Sequence, residues 1–215
     1  DNLINNVPEP YRKDAAALPV ATDFTLTGAT VNVPGTEKKA QVGNLTWICH
    51  NLWLQYRFSM DESILRNTLY PTLRRAVNFY LPFLTEDKSG KLHLKRTYSP
   101  EYGTAEDCNY DIALLRWGCN TLLEASRILS VDDELIPRWK QVAEYLTDYP
   151  QDENGMMIGK DVPFSRSHRH YSHLLMFYPL HLLNAEQKGS KELLEKSVEH
   201  WHSLPDNILG FSYTG

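Results

Sequence analysis

One acidic residue of the chain lies in a context that could hold its carboxyl group in a fixed place. Glu101 follows Ser99 and Pro100 and precedes Tyr102 and Gly103. Pro100 restricts the backbone of Ser99 to extended conformations, and Gly103 permits a sharp turn, so we expect the carboxyl group on a rigid corner. Such a group can protonate the leaving oxygen of a glycosidic bond while a second group directs water or attacks the sugar. Taken alone, a Ser-Pro-Glu triplet is also typical of an ordinary turn.

Residues 168–173 form a second polar cluster, with the sequence His-Arg-His-Tyr-Ser-His. Their imidazole and guanidinium groups can donate hydrogen bonds to sugar hydroxyls or hold an acidic partner. His168, His170 and His173 lack the four-residue spacing of a helical metal site, and neither a cysteine nor an acid stands close by in the sequence. We therefore expect no metal ion here. The open alternative is that these side chains only fix their own loop through internal hydrogen bonds.

Three further acids are candidates for a second carboxylate. Asp107 and Asp111 follow Glu101 closely, and Asp161 lies farther along the chain. Asp107 also precedes Cys108 in the manner of a helix N-cap, which is the more common role for such a residue. The identity of the second carboxylate therefore stays open.

The composition excludes several classes of protein. The chain has 215 residues and a formal charge of −5, and its acidic and basic residues are mixed, so it offers no cationic surface to nucleic acid. No apolar run approaches the roughly 18 residues of a membrane-spanning helix, and residues 1–5 do not resemble the start of an export signal. We expect a soluble protein, secreted or periplasmic, that has already lost any export signal and needs no cofactor.

The cysteine and aromatic residues indicate a core and a groove. Cys49, Cys108 and Cys119 cannot all pair within one chain and lack Cys-x-x-Cys spacing, so we expect them to be small core residues. The chain has 12 Tyr and 5 Trp but only 7 Phe. Side chains with a flat apolar face and a polar tip suit a groove that holds sugar rings, although helices packed through aromatic residues would show the same composition.

Apolar residues recur every three or four positions along much of the chain, which predicts an all-α fold. Pro71 and Pro82 are expected to kink the second of the predicted helices. Residues 1–40 are expected to form a separate irregular or β-like N-terminal segment, with extended pieces at 24–27 and 30–33. The expected helices span residues 45–58, 63–84, 108–129, a further stretch that ends near residue 146, and 185–202, and a buried helix is expected to begin at residues 174–177.

The predicted helices pair into two hairpins of similar design. The turns at residues 59–62 and 130–133 each place a serine three residues before an acid, the pattern of a capping box at a helix start. Between the hairpins, residues 86–106 form a long and varied loop with a short strand expected at 91–95. Two such hairpins are what a helical repeat or a toroid would supply.

Three stretches together resemble glycoside hydrolase family 95, the family of inverting α-L-fucosidases and related α-L-galactosidases. They are residues 46–58, residues 99–101, and residues 168–174 followed by Tyr178 and Pro179, in the family's order. The resemblance implies an (α/α)6 toroid, Glu101 as general acid, and hydrolysis of terminal α-L-fucosyl or α-L-galactosyl residues of a glycan. The side chains expected to bind the sugar are His50, Asn51, Trp53, Tyr98, His168, Arg169, His170 and His173.

The chain departs from the family pattern within the first stretch. Asn51 stands where the family usually has a histidine, with His50 one place earlier, and Leu54 and Gln55 replace the usual Glu-His pair. The side chains at these positions could contact a sugar hydroxyl group and so determine which sugar is bound. A sugar other than fucose therefore stays open.

The rest of such an enzyme is expected outside this chain. Twelve helices need more residues than the 215 present, and we find no match for the family's paired asparagines that position water or for its assisting aspartate. We therefore expect a partial toroid over residues 41–215, with residues 210–215 opening the next helix.

Two other classes of function stay open. A non-catalytic helical repeat could bind carbohydrate or protein through its aromatic residues. Another toroid enzyme, a polysaccharide lyase or a glycoside phosphorylase, would also be compatible with these residues. A lyase would leave an unsaturated product that absorbs ultraviolet light, whereas a phosphorylase would require phosphate.

Overall fold

The structure, a computed structural model, describes residues 1–205, so the helix start expected at residues 210–215 lies outside the described residues. The α-helices are α1 Asn2–Asn5, α2 Asn44–Ser59, α3 Glu62–Ile64, α4 Tyr70–Tyr80, α5 Asn109–Leu129, α6 Ile136–Tyr145 and α7 Ser190–Ser203. Short 3-10 turns occupy Tyr11–Asp14, Leu81–Phe83 and Ser172–Leu174. The strands are β1 Leu84–Glu86, β2 Leu92–Leu94, β3 Thr97–Ser99, β4 Gly103–Ala105, β5 Gln151–Asp152 and β6 Gly155–Met156.

The two predicted helical hairpins are present. The first is α2 followed by α3 and α4, and the second is α5 followed by α6. A π-helical turn, Leu65–Leu69, joins α3 to α4 directly before Pro71, which has no N–H group to continue a regular helix. The helices are thus confirmed, but short strands accompany them where an all-α fold was predicted, and the arrangement of these hairpins in an (α/α)6 toroid stays a prediction.

The predicted serine caps are wrong. Ser59 ends α2, and the Asp61 carboxylate caps α3 by accepting a hydrogen bond from the Ser63 N–H at 2.9 Å. Ser130 follows α5 with φ 51°, and Asp133 accepts from the Leu135 N–H at 3.0 Å before α6. Aspartate carboxylates are acceptors that lie closer to these helix starts than the serine hydroxyls do, so they satisfy the free N–H groups.

Within residues 1–205, three antiparallel pairs of short strands add to the helices: β1 with β2, β3 with β4, and β5 with β6. The strand expected at 91–95 is β2, and its pairing with β1 ends the preceding helix before Leu84. The hairpin of β3 and β4 carries Glu101 at its tip, because Ser99 pairs with Gly103.

The core is centred on α5, which packs against α4 and α6. Gly118 allows the close approach of α4, since a Cβ atom there would lie 2.7 Å from the Val77 side chain. Cys49, Cys108 and Cys119 are buried and free, as predicted. Burial raises the pKa of each of the three thiols to about 12, as expected for inert core cysteines.

The N-terminal segment packs along the first helical hairpin. The Ala16 N–H donates to the Arg75 carbonyl at 3.1 Å, and Asn78 donates to Asp14. The extended pieces expected at 24–27 and 30–33 do not form strands; the residues around them are joined by a single bridge between Thr22 and Gly28. The proposed domain boundary at residue 40 stays a prediction.

Two expected helices near the C-terminal end differ from the structure. Helix α7 starts at Ser190 rather than near 185, because Gly189 takes a φ of 80° and Asn184 closes a turn with Gln187. Residues 174–177 are buried as expected but form turns rather than a helix. An apolar run that is buried on every side has no period by which a helix can be recognised.

Within residues 1–205, no helix is both long and apolar enough to cross a membrane. The same residues contain no group of three or more His, Cys, Asp or Glu side chains that could hold a metal ion.

Candidate active site

Glu101 lies in a tight turn that forces its backbone into an uncommon conformation. The Tyr102 N–H donates to the Ser99 carbonyl at 3.1 Å, with Pro100 and Glu101 between them. Glu101 has a φ of 56°, as the third residue of a type II turn does, and Pro100 stands at the second position that such turns favour. The prediction that Gly103 permits the turn is wrong, since Glu101 itself takes the left-handed conformation at a cost of about 1–3 kcal/mol.

The Glu101 carboxylate is held by the polar cluster of residues 168–173. Arg169 Nε donates to Glu101 Oε2 at 2.8 Å, and Arg169 Nη2 contacts both carboxylate oxygens. His170 Nε2 lies 3.4 Å from Oε2. The hydrogen bond from Arg169 lowers the pKa of Glu101 below its usual value, so this carboxylate is ionised while the pair persists.

His168 supports the backbone of Glu101 rather than facing the open pocket. Its Nδ1 accepts a hydrogen bond from the His170 N–H at 3.0 Å, and its Nε2 lies 3.2 Å from the Glu101 carbonyl oxygen. Because a carbonyl oxygen only accepts, this arrangement places the imidazole proton on Nε2. Burial is the first cause that lowers the pKa of His168, in keeping with a neutral ring.

Tyr102 fastens the Glu101 turn to the loop that precedes His168. Its hydroxyl oxygen accepts hydrogen bonds from the N–H groups of Ser165 at 2.8 Å and Arg166 at 3.1 Å. Its ring stacks on Phe164 with centroids 5.3 Å apart, and the Arg166 guanidinium lies over it. The turn and the histidine loop are therefore joined at the residue directly after the carboxylate.

A buried pair of serines makes a second connection between the same two segments. Ser99 Oγ and Ser172 Oγ are 2.7 Å apart, and both side chains are buried. Ser99 ends β3, and Ser172 begins the 3-10 turn after the histidines. The two connections fix the distance between Glu101 and the cluster of residues 168–170.

A pocket of about 630 Å³ opens beside Glu101. His170, which was predicted to bind the sugar, lines it together with Glu101. The pocket is lined by Val20, Gln41, Trp47, Pro100, Glu101, His170, Tyr171 and Ser172. Its walls thus come from the N-terminal segment, the first turns of α2, the Glu101 turn and the histidine cluster. A pocket of this size, mostly apolar with a few polar groups, is of the kind that takes a small-molecule ligand.

Four predicted sugar-binding residues lie elsewhere. The buried His50 ring packs edge-on against Trp117, and Trp53 is buried against Tyr56. The Lys39 amine lies over the Tyr98 ring, 4.9 Å from its centroid.

His173 is the fourth of these residues. It is fully buried and stacks on Phe164 at 4.1 Å, and burial lowers its pKa to about 3. None of the four lines the pocket beside Glu101. Asn51 lines a smaller pocket that adjoins it.

The three other candidate acids are also outside the pocket. Asp107 does not cap α5; its buried carboxylate accepts from the Leu94 N–H at 2.8 Å and lies 2.7 Å from His93 Nδ1. Asp111 is fully buried beside the Tyr80 hydroxyl group at 2.8 Å. Asp161 is exposed, with a φ of 58°. Glu101 is therefore the carboxylate that the described part of the chain presents to this pocket.

Comparison with known proteins identifies the family. Residues 11–204 match the glycosyl hydrolase family 95 catalytic domain. The chain belongs to glycosyl hydrolase family 95. The match includes the Glu101 turn, the cluster of residues 168–173 and the residues of the N-terminal segment that line the pocket. The resemblance found in the sequence is confirmed.

Two curated relatives of this family 95 chain carry fucosidase names. The protein named Alpha-L-fucosidase 2 from Arabidopsis thaliana is 28% identical over 167 residues, which cover 71% of this chain and 20% of that protein. Probable alpha-fucosidase A from Aspergillus niger is 25% identical over 174 residues, which cover 71% of this chain and 21% of that protein. The chain thus spans about a fifth of the length of these relatives.

Several pocket residues were not singled out from the sequence. Trp47 stood within the stretch that resembles family 95, and Tyr171 and Ser172 within the histidine cluster, so a signal existed for them. Val20 and Gln41 carried none, because they reach the pocket through the path of the chain ahead of α2 rather than through a local pattern.

Proposed function

We propose that this chain forms part of the active site of an inverting glycoside hydrolase that removes terminal α-L-fucosyl or α-L-galactosyl residues from glycans, with Glu101 as general acid. The observation that carries the proposal is the position of Glu101, on a constrained turn at the wall of a pocket, beside Arg169 and His170. The fucosidase names of the two relatives support the sugar class.

The ion pair between Arg169 and Glu101 bears directly on the role of Glu101 as an acid. A general acid must carry a proton, whereas Arg169 keeps Glu101 ionised. Both side chains are more than two fifths exposed, at 45% for Glu101 and 42% for Arg169, so the pair contributes little to stability and can separate. A sugar in the pocket takes hydrogen bonds from Arg169 and shields Glu101 from water, and both changes raise the pKa of the carboxyl group.

In the proposed reaction, Glu101 protonates the glycosidic oxygen as the bond to the terminal sugar breaks. Water attacks the opposite face of that sugar, which gives inversion. Arg169 and His170 hold sugar hydroxyl groups, while His168 and Tyr102 hold the turn that carries Glu101. The groups that activate water, and the remainder of an (α/α)6 toroid, are proposed to lie outside this chain. A secreted or periplasmic location is proposed with this function.

One observation favours a second function, in which the site binds a sugar without cleaving it. An ionised carboxylate and its arginine partner can both bind hydroxyl groups with no proton transfer, and they form such a pair here. A binding module would keep Glu101 ionised throughout.

The Glu101→Gln variant of the full-length protein tests the proposal. Glutamine keeps the shape of the side chain but cannot donate the proton, so kcat/KM for a fucosyl or L-galactosyl glycan should fall by about 10²–10⁴-fold. The Glu106→Gln variant is the matched control, because Glu106 is an exposed acid five residues farther along, outside the pocket. Proton NMR of the first product should show the inverted anomer.

Three results would count against the proposal. Undiminished turnover by Glu101→Gln would exclude Glu101 as the acid. A first product with the retained anomer would exclude inversion. Sugar binding by the wild-type protein with no turnover would favour the non-catalytic function.

A further inference from the structure

A series of aromatic side chains joins the Glu101 turn to helix α7. Tyr102, the residue after Glu101, stacks on Phe164 with ring centroids 5.3 Å apart. Phe164 also stacks on His173, with centroids 4.1 Å apart and ring planes 12° from parallel. The Trp201 indole of α7 meets both of these rings edge-on, 6.0 Å from Phe164 and 5.9 Å from His173. We call Tyr102, Phe164, His173 and Trp201 the aromatic stack.

The Phe164 ring, at the centre of the aromatic stack, is held in place from α7. His200 Nε2 lies 2.6 Å from the Phe164 carbonyl oxygen, and because a carbonyl oxygen only accepts, this nitrogen carries the proton. Phe164 and Trp201 are each only 3% exposed, and His173 is 1% exposed. Close packing therefore leaves these rings little freedom to move.

His173 contributes to the aromatic stack through the face of its ring rather than through its nitrogens. Burial lowers its pKa to about 3, so the ring is neutral. In the part of the chain that the structure describes, His173 Nδ1 has no hydrogen-bond partner. A buried nitrogen without a partner costs free energy, so a flat apolar ring should replace this imidazole without loss. An imidazole that bound a sugar would instead need its nitrogens.

The aromatic stack connects the two segments that carry Glu101 and Arg169. Tyr102 directly follows Glu101, and His173 ends the cluster of residues 168–173 that contains Arg169. The Phe164 ring contacts both segments, so it helps to set the distance between the carboxylate and the guanidinium group. The stack is not part of the lining of the pocket beside Glu101. A change in Phe164 therefore removes no surface that a bound sugar would touch.

We infer that the aromatic stack positions the Glu101 carboxylate against Arg169, with Phe164 and His173 as positioning residues. The inference rests on the proposed function and deepens it, because it names residues that touch no substrate yet set the rate of proton transfer. Small displacements of a reacting group lower that rate, even when they originate away from the chemistry. Helix α7, about 100 residues farther along the chain, thereby supports the Glu101 turn.

Phe164→Leu in the full-length protein tests the inference, because it removes the ring but keeps an apolar side chain. The turn is then held less firmly, so kcat for a fucosyl or L-galactosyl glycan should fall about tenfold, the worth of one aromatic contact, while KM stays within about twofold. If Phe164→Leu does not fold, Phe164→Met replaces it, since the longer methionine side chain fills more of the space.

A second measurement needs no turnover. Arg169 lowers the pKa of Glu101, so a looser pair in Phe164→Leu should raise that pKa. A carbon-13 NMR titration of the glutamate carboxyl groups measures it, with the Glu101 signal assigned by its loss in Glu101→Gln.

Phe83→Leu is the matched control. Phe83 is 3% exposed, as Phe164 is, and its ring lies 4.9 Å from that of Tyr11, outside the pocket lining. This variant should lose a similar free energy of unfolding in urea but leave kcat and the pKa of Glu101 unchanged. His173→Phe keeps a flat ring and should retain kcat within about twofold, whereas His173→Ala should lose about tenfold.

Equal losses of kcat in Phe164→Leu and Phe83→Leu would overturn the inference, since the stack would then act only on stability. A loss in His173→Phe as large as that in His173→Ala would also overturn it, because the nitrogens would then be needed. Wild-type protein that binds glycans without hydrolysing them would overturn the proposed function instead. The titration would still decide the inference in that case, and an unchanged pKa of Glu101 in Phe164→Leu would overturn it.

Discussion

Two arginine–carboxylate pairs in this molecule differ in their surroundings, although their chemistry is the same. Arg74 and Asp133 join α4 to the turn before α6, with side-chain exposures of 18% and 9%. Asp133 also accepts from the Tyr70 hydroxyl group and the Leu135 N–H, and Arg74 also contacts Asp14. The Arg169 and Glu101 side chains are 42% and 45% exposed, and Glu101 lines the pocket described above.

The difference separates a pair that supports the fold from one that can change partners. Removal of one member of a shielded pair leaves a charge that water does not reach, whereas an exposed pair exchanges its partner for water at little cost. The ion pair between Arg74 and Asp133 therefore stabilises the helical hairpins. Arg169 and Glu101 are available to a ligand.

Removing the carboxylate of the shielded pair should have the strongest effect on stability. Asp133→Asn should lower the free energy of unfolding by about 2–3 kcal/mol, slightly less than the 3–5 kcal/mol typical of fully buried pairs. Urea denaturation measures the change, and catalytic activity should stay within twofold. Asp148→Asn is the control, since Asp148 is 91% exposed in its contact with Lys91. A decrease of less than about 1 kcal/mol in the free energy of unfolding would show that the Arg74–Asp133 pair behaves like an exposed ion pair.

The carboxyl group of Asp111 is buried beside a tyrosine rather than an arginine. Asp111 lies beside Tyr80, and burial raises its pKa from 3.8 to about 7. Between these values the unfolded chain releases the Asp111 proton while the folded chain keeps it, so stability falls as pH rises, by up to about 1.4 kcal/mol per pH unit. Asp111→Asn should remove this slope between pH 4 and 7 in urea denaturation at each pH.

Asp161→Asn serves as the control for that measurement, because Asp161 is exposed. The slope of the Asp161→Asn variant should equal that of the wild-type protein. Equal slopes for wild type and Asp111→Asn would contradict a raised pKa at Asp111.

The exposed pair should affect activity rather than stability. Arg169→Met should lower kcat/KM by about tenfold, the worth of a hydrogen bond to a charged group, with little change in unfolding. Because Arg169 lowers the pKa of Glu101, its removal should raise that pKa. Activity that needs protonated Glu101 is lost as pH rises through this pKa, so the alkaline limb of the kcat/KM profile should move to higher pH.

Arg96→Met provides the control for Arg169→Met, since Arg96 is similarly exposed and contacts Glu37 instead. It should leave the pH profile in place. A limb that stays fixed or moves to lower pH in Arg169→Met would contradict the assignment of Glu101 as the acid.

Loss of the Tyr102 hydroxyl group should have the weakest effect, because it alters only how the Glu101 turn is held. Tyr102→Phe keeps the stacked ring but removes the hydroxyl oxygen that accepts from Ser165 and Arg166. Loss of hydrogen bonds worth about 0.5–1.5 kcal/mol should lower kcat about three- to tenfold while KM stays unchanged, because Tyr102 is not among the pocket residues. Tyr145→Phe, on α6, is the control, and an equal loss in both variants would contradict a positioning role.

The helices of the two hairpins could be predicted because their apolar residues repeat with the helical period. Helices α2 and α5 begin and end within about two residues of the expected positions, the usual uncertainty of helix ends. The turns around residues 160–189 could not be predicted in the same way. Their backbone is fixed by contacts with distant residues, such as the one between Tyr102 and Ser165.

The candidate site was predictable in its chemistry but not in its geometry. The sequence indicated Glu101 and the cluster of residues 168–173 together, and the structure brings them into contact. The left-handed conformation of Glu101 carries no local signal, because the residue type does not favour it. His50 and Trp53 looked polar enough for a pocket, but their positions on α2 turn them into the core.

The position of the N-terminal segment separates the stability of the fold from the lining of the pocket, two properties that usually change together. Val20 borders both the pocket beside Glu101 and the smaller pocket that adjoins it, yet it is 75% exposed, so replacing it costs little folding free energy. The Glu101 turn and the helical hairpins stay untouched by such a replacement. Under the proposed function, ligand preference can therefore change through substitutions in this surface segment, without a compensating change in the helical hairpins.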